Sequence, residues 1–153
     1  MILTKKAILA NVENGSLRIE PFNPSNVKAA SYTFTLGTTL RKLKTADELD
    51  SRVDPVLEEV PFSEDGYLLN PGEHILGVTK EKVTLNGKFA CILSTRPTIA
   101  LMGLDVMQSS FFCEPNTDNS FTLEITNGGL IPVRLYPGIR ITSGIFIPAT
   151  NTV

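Results

Sequence analysis

Phe121-Thr122-Leu123-Glu124-Ile125-Thr126, closed by Asn127-Gly128-Gly129, is the stretch on which the reading of the fold turns. Apolar and polar residues alternate strictly across its first six positions. A period of two marks a strand with one face on a core, because successive Cβ atoms point to opposite sides of a pleated sheet. Phe121, Leu123 and Ile125 share the inward face, and Thr122, Glu124 and Thr126 the outward one. The Asn-Gly-Gly that follows reads as a turn, since asparagine and glycine enter the left-handed backbone region at little cost.

The same punctuation recurs on both sides of this stretch. Asn70-Pro71-Gly72, Asn86-Gly87, Glu114-Pro115-Asn116 and Tyr136-Pro137-Gly138 bracket short apolar runs. They predict strands over 66–69, 74–78, 89–93, 121–126, 131–135 and 140–147. In the first half, 32–36 alternates and stops at Gly37. Helical signals are few. One helix follows Thr4 as a candidate N-cap, with Ile8 and Val12 on one face and Asn14-Gly15 as its stop. Lys5 and Lys6 oppose the dipole of its first turn, so tertiary contacts must hold it. A turn or two of helix is expected over 98–103, after Pro97. Residues 44–65 are polar and aperiodic, and read as an exposed excursion rather than a domain boundary. Many short strands at even spacing argue for an all-β sandwich or barrel with short helices, one domain over 1–153.

Composition narrows the chemistry. A chain of 153 residues buries roughly 70% of its surface on folding, enough for one core. With 42% hydrophobic and 20% charged residues it has the balance of a soluble globular protein. The single histidine, His74, excludes sites that need two imidazoles, and it reads as structural. Two cysteines, Cys91 and Cys113, cannot build a four-thiolate zinc site. Although they could pair, they are expected as reduced, buried thiols. Fourteen Lys+Arg against sixteen Asp+Glu give a net charge of −2 with no basic stripe, so no nucleic-acid partner is expected. No run reaches the ~20 apolar residues of a membrane span, and the opening is unlike a signal peptide. The expected setting is therefore cytoplasmic, or the host cytoplasm for a virus-encoded chain. Any catalysis would run on carboxylates, hydroxyls and backbone groups.

Three features could carry such chemistry. Glu124 is either part of a solvated strand face or a general base in a cleft, its pKa raised by burial. Glu114, beside Pro115, is either a turn carboxylate or a second acid. Arg96, with Thr95 and Thr98, joins a strand to a short helix, and the group is either a capped helix beside a surface arginine or a phosphate cradle. The zinc deaminase signature, the P-loop and the dinucleotide glycine fingerprint are absent.

Longer stretches carry a resemblance. The opening MILTKKAILANVENGSLRIEPFNP, AASYTFTLG at 29–37, Asn70-Pro71-Gly72-Glu73, the block from Phe121 to Glu124 with Asn127, and Pro132 to Ile141 are similar, in order, to the dCTP deaminase family. The stretch from Arg96 to Glu124 aligns with it without a gap. That family shares a superfamily with the trimeric dUTPases. The resemblance implies a distorted β-barrel or jelly-roll of the dUTPase-like type, assembled as a homotrimer with sites between subunits. It implies a zinc-independent deamination in which Glu124 activates water against C4 of cytosine and passes the proton to the departing ammonia. It places Glu114 where an acid activates water against the α-phosphate in dUTPase-type members. It sets Arg96, Thr95, Thr98, Ser110, Phe111 and Arg140 around a deoxynucleoside triphosphate, dCTP or dUTP, that brings its own Mg²⁺.

Departures accompany the matches. The family's glycine-arginine-serine-serine-leucine-x-arginine segment is Thr95-Arg96-Pro97-Thr98-Ile99-Ala100-Leu101 here. Pro97 loses a hydroxyl and a backbone donor. Leu101 replaces the arginine that cooperates with the glutamate, and its loss removes site electrostatics. The alanine lining the water pocket is Ser110, and the lysine-isoleucine-glycine-glutamine segment is Arg140-Ile141-Thr142-Ser143. The sequence ends at Val153, where the family usually continues into a closing tail. Three functions follow: dCTP deamination to dUTP through Glu124, dUTP hydrolysis to dUMP through Glu114, or a nucleotide-binding trimer without turnover.

Overall fold

The computed structural model describes residues 1–150, and the chain forms a mostly β structure built on one curled antiparallel sheet. Helix α1 (Lys5–Glu13) is followed by β1 (Arg18–Glu20), a 3-10 turn (Pro24–Asn26) and the long strand β2 (Tyr32–Leu43). Strands β3 (Leu57–Val60), β4 (Tyr67–Leu69), β5 (His74–Thr84) and β6 (Phe89–Thr95) lead to a single helical turn, α2 (Pro97–Ala100). The chain continues through β7 (Leu104–Asp105), β8 (Phe112–Cys113), β9 (Asp118–Asn127), β10 (Val133–Leu135) and β11 (Arg140–Pro148). Sheet order is β7-β9-β5-β2-β11-β6-β8, with β1 added to β5 and β3 to β2, while β4 and β10 form a separate ribbon. No helix among the described residues is long and apolar enough to cross a membrane.

The expected all-β, barrel-like class is the one observed, and β9 shows why. Phe121, Leu123 and Ile125 are buried, whereas Thr122 is exposed and Glu124 and Thr126 are half-buried. The inward residues meet a core of stacked rings. Phe34 packs edge-on against Phe121 with centroids 5.2 Å apart and tilts against Tyr32 at 5.0 Å. Offset and edge-on pairs of this kind suit the ring quadrupole. Helix α1 buries Ile8 completely. Thr4 has N-cap geometry but gives no side-chain cap. The opening is held instead by Leu3 N–H on the Phe146 carbonyl (2.9 Å) and Lys5 N–H on the Ala29 carbonyl (2.8 Å). These are the tertiary contacts that Lys5 and Lys6 required.

Five expectations need correction. The strand expected to stop at Gly37 continues through it to Leu43, where its far end pairs with β3 and β5. Residues 44–65 are not all excursion: Leu57-Glu58-Glu59-Val60 pairs with β2 from Leu43↔Leu57 to Leu40↔Val60. Its two glutamates are exposed and mask the pattern, as charge on an edge strand does. Strand β5 runs to Thr84 rather than stopping at 78, because Glu81, in a run that reads as surface charge, is turned inward. The strand expected over 131–135 begins at Val133, since Ile131 is 74% exposed ahead of Pro132. The helix expected over 98–103 is one turn that ends at Ala100.

The curl of the sheet brings its two ends together. On one side stands β9 with its short partner β7, and on the other β6 with its short partner β8. They meet without a full ladder. Val106 bridges them: its N–H donates to Thr95 Oγ1 at 3.2 Å, and its carbonyl accepts the Glu124 N–H at 2.9 Å.

Candidate active site at the seam of the sheet

Every site residue read from the sequence falls along or beside this seam. Glu124 stands midway along β9, opposite Leu76 of β5. It is half-buried, and its carboxylate takes part in none of the side-chain hydrogen bonds or ion pairs of the described residues. A carboxylate so placed has free lone pairs and partial shelter from water, the two properties a general base needs. Its backbone is fixed by Val106, and through Val106 by the Thr95 hydroxyl.

Polar groups for which the sequence suggests no role in a site gather on the same face. Thr126, two residues beyond Glu124, lies with Oγ1 2.9 Å from His74 Nδ1 and accepts a hydrogen bond from the Gln108 amide. Asp105 is paired with Thr126 across β7 and β9. Its Oδ1 accepts from Met107 N–H at 3.0 Å and, more weakly, from the Thr95 hydroxyl at 3.4 Å. Gln108 and Ser109 both take positive φ, 45° and 72°. Left-handed backbone at two successive non-glycine residues is costly and is held by the surrounding structure. It carries the chain from the buried Met107 to the exposed Ser110. No sequence pattern announces these neighbours, because β5, β7 and β9 meet only through tertiary pairing.

At the end of β6 the Arg96 side chain reaches the backbone of β11. Arg96 Nη1 donates to the Arg140 carbonyl at 3.1 Å, and Arg96 N–H donates to the Ile141 carbonyl at 3.2 Å. The two arginines therefore share one corner, with Thr95 behind them and Thr98 exposed beside them. The turn after Arg96 offers less than a helix N-terminus would. Pro97 has no N–H, and the amides of Ile99 and Ala100 are both spent on the Arg96 carbonyl (3.0 and 2.9 Å). An anion held here would meet the guanidinium and hydroxyl groups and one backbone donor, the Thr98 N–H, which bonds to no backbone acceptor.

The second acid lies further along. Between β8 and β9 runs a cleft of about 420 Å³, lined by Ser110, Cys113, Glu114, Ser120 and Thr122 among others. Ser110 and Glu114 thus share one cleft with Thr122, which is on the Glu124 face of β9, while Glu124 itself is not among the lining residues. Phe111 is 46% exposed, and its carbonyl accepts the Leu93 N–H at 2.8 Å. Leu101 is 87% exposed on the far side of α2, beside Met102, Leu130 and Ile131. Asn127 holds that region firm. Its Nδ2 donates to the carbonyls of Leu69 (3.0 Å) and Ile131 (2.9 Å), and its Oδ1 accepts Gly129 N–H (2.9 Å). Among the described residues no three His, Cys, Asp or Glu side chains are grouped so as to hold a metal ion.

Comparisons with known proteins bear on the family and the fold. A family model described as dCTP deaminase-like matches residues 2–147. The chain is 30% identical over 148 residues to a dUMP-forming dCTP deaminase of Streptomyces coelicolor, covering 92% of this chain and 76% of that one. It is 31% identical to a dUMP-forming dCTP deaminase of Halobacterium salinarum, covering 99% of this chain and 82% of the relative. Among solved structures, a 2'-deoxycytidine 5'-triphosphate deaminase from Agrobacterium tumefaciens superposes with a TM-score of 0.73 at 20% identity. That match covers 95% of this chain and 47% of the solved one. A variant dUTPase of Staphylococcus bacteriophage 80alpha, solved with dUpNHpp, superposes at 0.55 with 11% identity, over 90% of this chain and 92% of its own. These two structural likenesses concern the fold, whereas the family match runs through both lips of the seam, from Thr95 and Arg96 to Glu124. The chain belongs to the dCTP deaminase-like family.

Proposed function

We propose that the chain binds a deoxynucleoside triphosphate across the seam and deaminates dCTP to dUTP and ammonia, with Glu124 as general base. One observation carries the reading: an unpartnered, half-buried carboxylate is tied through Val106 to the strand end that presents Thr95 and Arg96. Glu124 takes a proton from the water that attacks C4 of the cytosine ring. It returns that proton to the amino group, and the C4–N bond breaks to release ammonia, so one carboxylate serves as base and then as acid. Arg96, Arg140, Thr95 and Thr98 hold the triphosphate, whose Mg²⁺ arrives as part of the substrate. Ser110 and Phe111 border the reacting end. Glu114, in the cleft beside Ser110, is the group for a following hydrolysis of dUTP to dUMP and pyrophosphate, the outcome named for the relatives. The exposed Leu101, Met102, Leu130 and Ile131 favour self-association, proposed as a homotrimer. No nucleic-acid or membrane partner is proposed.

A second reading rests on Leu101. A leucine there leaves the family's arginine position without a cation, and this favours a trimer that binds nucleotide without turning it over. One assay separates the readings. Purified protein is incubated with dCTP or dUTP and Mg²⁺, and ammonia, dUTP, dUMP and pyrophosphate are followed by chromatography. Deamination predicts ammonia from dCTP, reduced at least ~100-fold by Glu124→Gln, in line with the loss of a positioned base. Pyrophosphate that depends on Glu114 assigns the second step. Nucleotide binding without either product leaves the non-catalytic reading standing and sinks the enzymatic one.

A further inference from the structure

The chain's two thiols lie outside the chemistry assigned to Glu124, yet they face each other. Strands β6 and β8 run antiparallel with Cys91 opposite Cys113 and Ile92 opposite Phe112. One pair further on, Leu93 N–H donates to the Phe111 carbonyl at 2.8 Å. Bonded and non-bonded pairs alternate along an antiparallel ladder. Two positions away, Cys91 and Cys113 therefore form another bonded pair, whose Cα atoms lie ~5.5 Å apart. A disulfide joins Cα atoms roughly 4.4–6.8 Å apart and Cβ atoms roughly 3.5–4.5 Å apart, so the Cα spacing suits one, and the Cβ atoms, about 5 Å apart in such a pair, close by roughly 1 Å to form it. Directly opposed residues also point to the same face of the sheet, so the two thiols are neighbours.

Their surroundings divide the roles. Cys91 is buried, with Sγ in a space left by Gly144, where a Cβ would come within 2.9 Å of the sulfur. Burial pushes its thiol well above the ordinary range. Cys113 is half-buried on the strand that lines the cleft, and the Cys91 thiol beside it draws the Cys113 thiol below the ordinary value. The thiolate is the reactive form, so Cys113 is the sulfur that meets an oxidant first.

From this geometry we infer that Cys91 and Cys113 form a redox-modifiable dithiol, which hydroperoxides oxidise to an intramolecular cross-strand disulfide and small thiols restore. The Cys113 thiolate attacks a peroxide oxygen, the O–O bond breaks and hydroxide or alkoxide leaves, giving a sulfenic acid. The Cys91 sulfur then attacks the Cys113 sulfur, the S–O bond breaks and water departs. Overall the two thiols lose two electrons and two protons, and one hydroperoxide is reduced to water and an alcohol, or to two waters when it is hydrogen peroxide. Strand β8 runs directly from Ser110 and Phe111 to Glu114, so the cross-link fixes the wall of the cleft. The inference rests on the register of β6 and β8 and on the unequal burial of the two thiols, and it stands whether or not the nucleotide reading does.

The test uses the whole protein and equimolar hydrogen peroxide at neutral pH. The intact mass should fall by two hydrogens, both thiols should become unreactive to an alkylating reagent, and the chain should remain unlinked to other copies on a non-reducing gel. Dithiothreitol should reverse all three changes. Cys91→Ala should stop at a Cys113 sulfenic acid trapped by dimedone, and Cys113→Ser should leave the buried Cys91 unoxidised. The unmodified chain gives the mass readout by itself, so a variant that fails to fold does not spoil the test. Added oxygen without loss of two hydrogens, a disulfide between copies, or two thiols still free after peroxide has oxidised an equal amount of glutathione would overturn the inference.

Discussion

Glu73 shows how much one side chain settles here. Its Oε2 accepts the Asn70 N–H at 2.8 Å, and its Oε1 accepts the Tyr67 hydroxyl. The turn is then tied to β9, with Gly72 N–H on the Asn127 carbonyl and Asn127 N–H on the Glu73 carbonyl. Burial, followed by the Glu73 carboxylate, pushes the Tyr67 phenol up to about 12 from an ordinary value of 10.0. A pKa raised in the folded state adds stability that is fully present below the unfolded value and is lost as pH climbs through the folded one. The window here runs from about pH 10 to about pH 12. Burial also raises the Tyr32 phenol, so an alkaline absorbance titration should show a late phenolate step near pH 12 that is lost in Tyr67→Phe and beside which any Tyr32 step remains, and an unchanged titration in that variant would refute the contact. Residues of this kind were only half legible. Asn70-Pro71-Gly72-Glu73 was visible as a turn and as a point of resemblance, but nothing in it pointed to Tyr67. Glu124 was visible from its alternation. The placing of Gln108, Asp105 and His74 around Thr126 was not, because it arises from pairing between strands far apart in the chain.

Among the elements, legibility followed burial. Strand β9 could be read because one face is buried and the other is not, whereas β5 could be read only as far as Val78. There the pairing with both β2 and β9 slips, between Leu36 and Leu40 on one side and between Val78 and Lys82 on the other. The slip turns Glu81 inward, only 3% exposed, where its carboxylate accepts Thr35 N–H (3.0 Å) and the Thr35 hydroxyl (2.9 Å). Thr79 completes the repair by donating to the Glu81 carbonyl (2.7 Å) and accepting Phe121 N–H (2.9 Å). A pattern of apolar residues cannot forecast a strand whose buried positions are polar and bonded. Strands of two or three residues, such as β1, β7 and β8, are too short to have a pattern. Strand β11 offers a sharper test of packing. A Cβ at Gly144 would lie 2.5 Å from the Phe34 ring as well as 2.9 Å from Cys91 Sγ. Gly144→Ala should cost ~1–3 kcal/mol through overpacking, read from the urea midpoint at unchanged slope. A change within ~0.5 kcal/mol, the size of a surface substitution, would mean that the rings yield more easily than the packing implies.

For the molecule as a whole, the barrel-like class was legible from turn spacing, and the family from segments quoted in order. The closing of the sheet upon itself was not. It depends on Val106, an ordinary valine that spends its amide on one edge and its carbonyl on the other. Such a joint has a dynamic consequence. Two edges held by so few bonds can part without the rest of the sheet unfolding, so the opening free energy there lies below that of global unfolding. The backbone amides of Val106 and Glu124 should exchange with deuterium sooner than those in the middle of β11. A ligand that grips both lips closes that route in proportion to its occupancy, by about 2.7 kcal/mol at a hundred times its Kd, and slows both amides ~100-fold. A ligand held by Arg96 and Arg140 alone leaves them unchanged. The joint thus serves as a clock for occupancy: it reports whether a nucleotide spans the two edges even when no product is ever released.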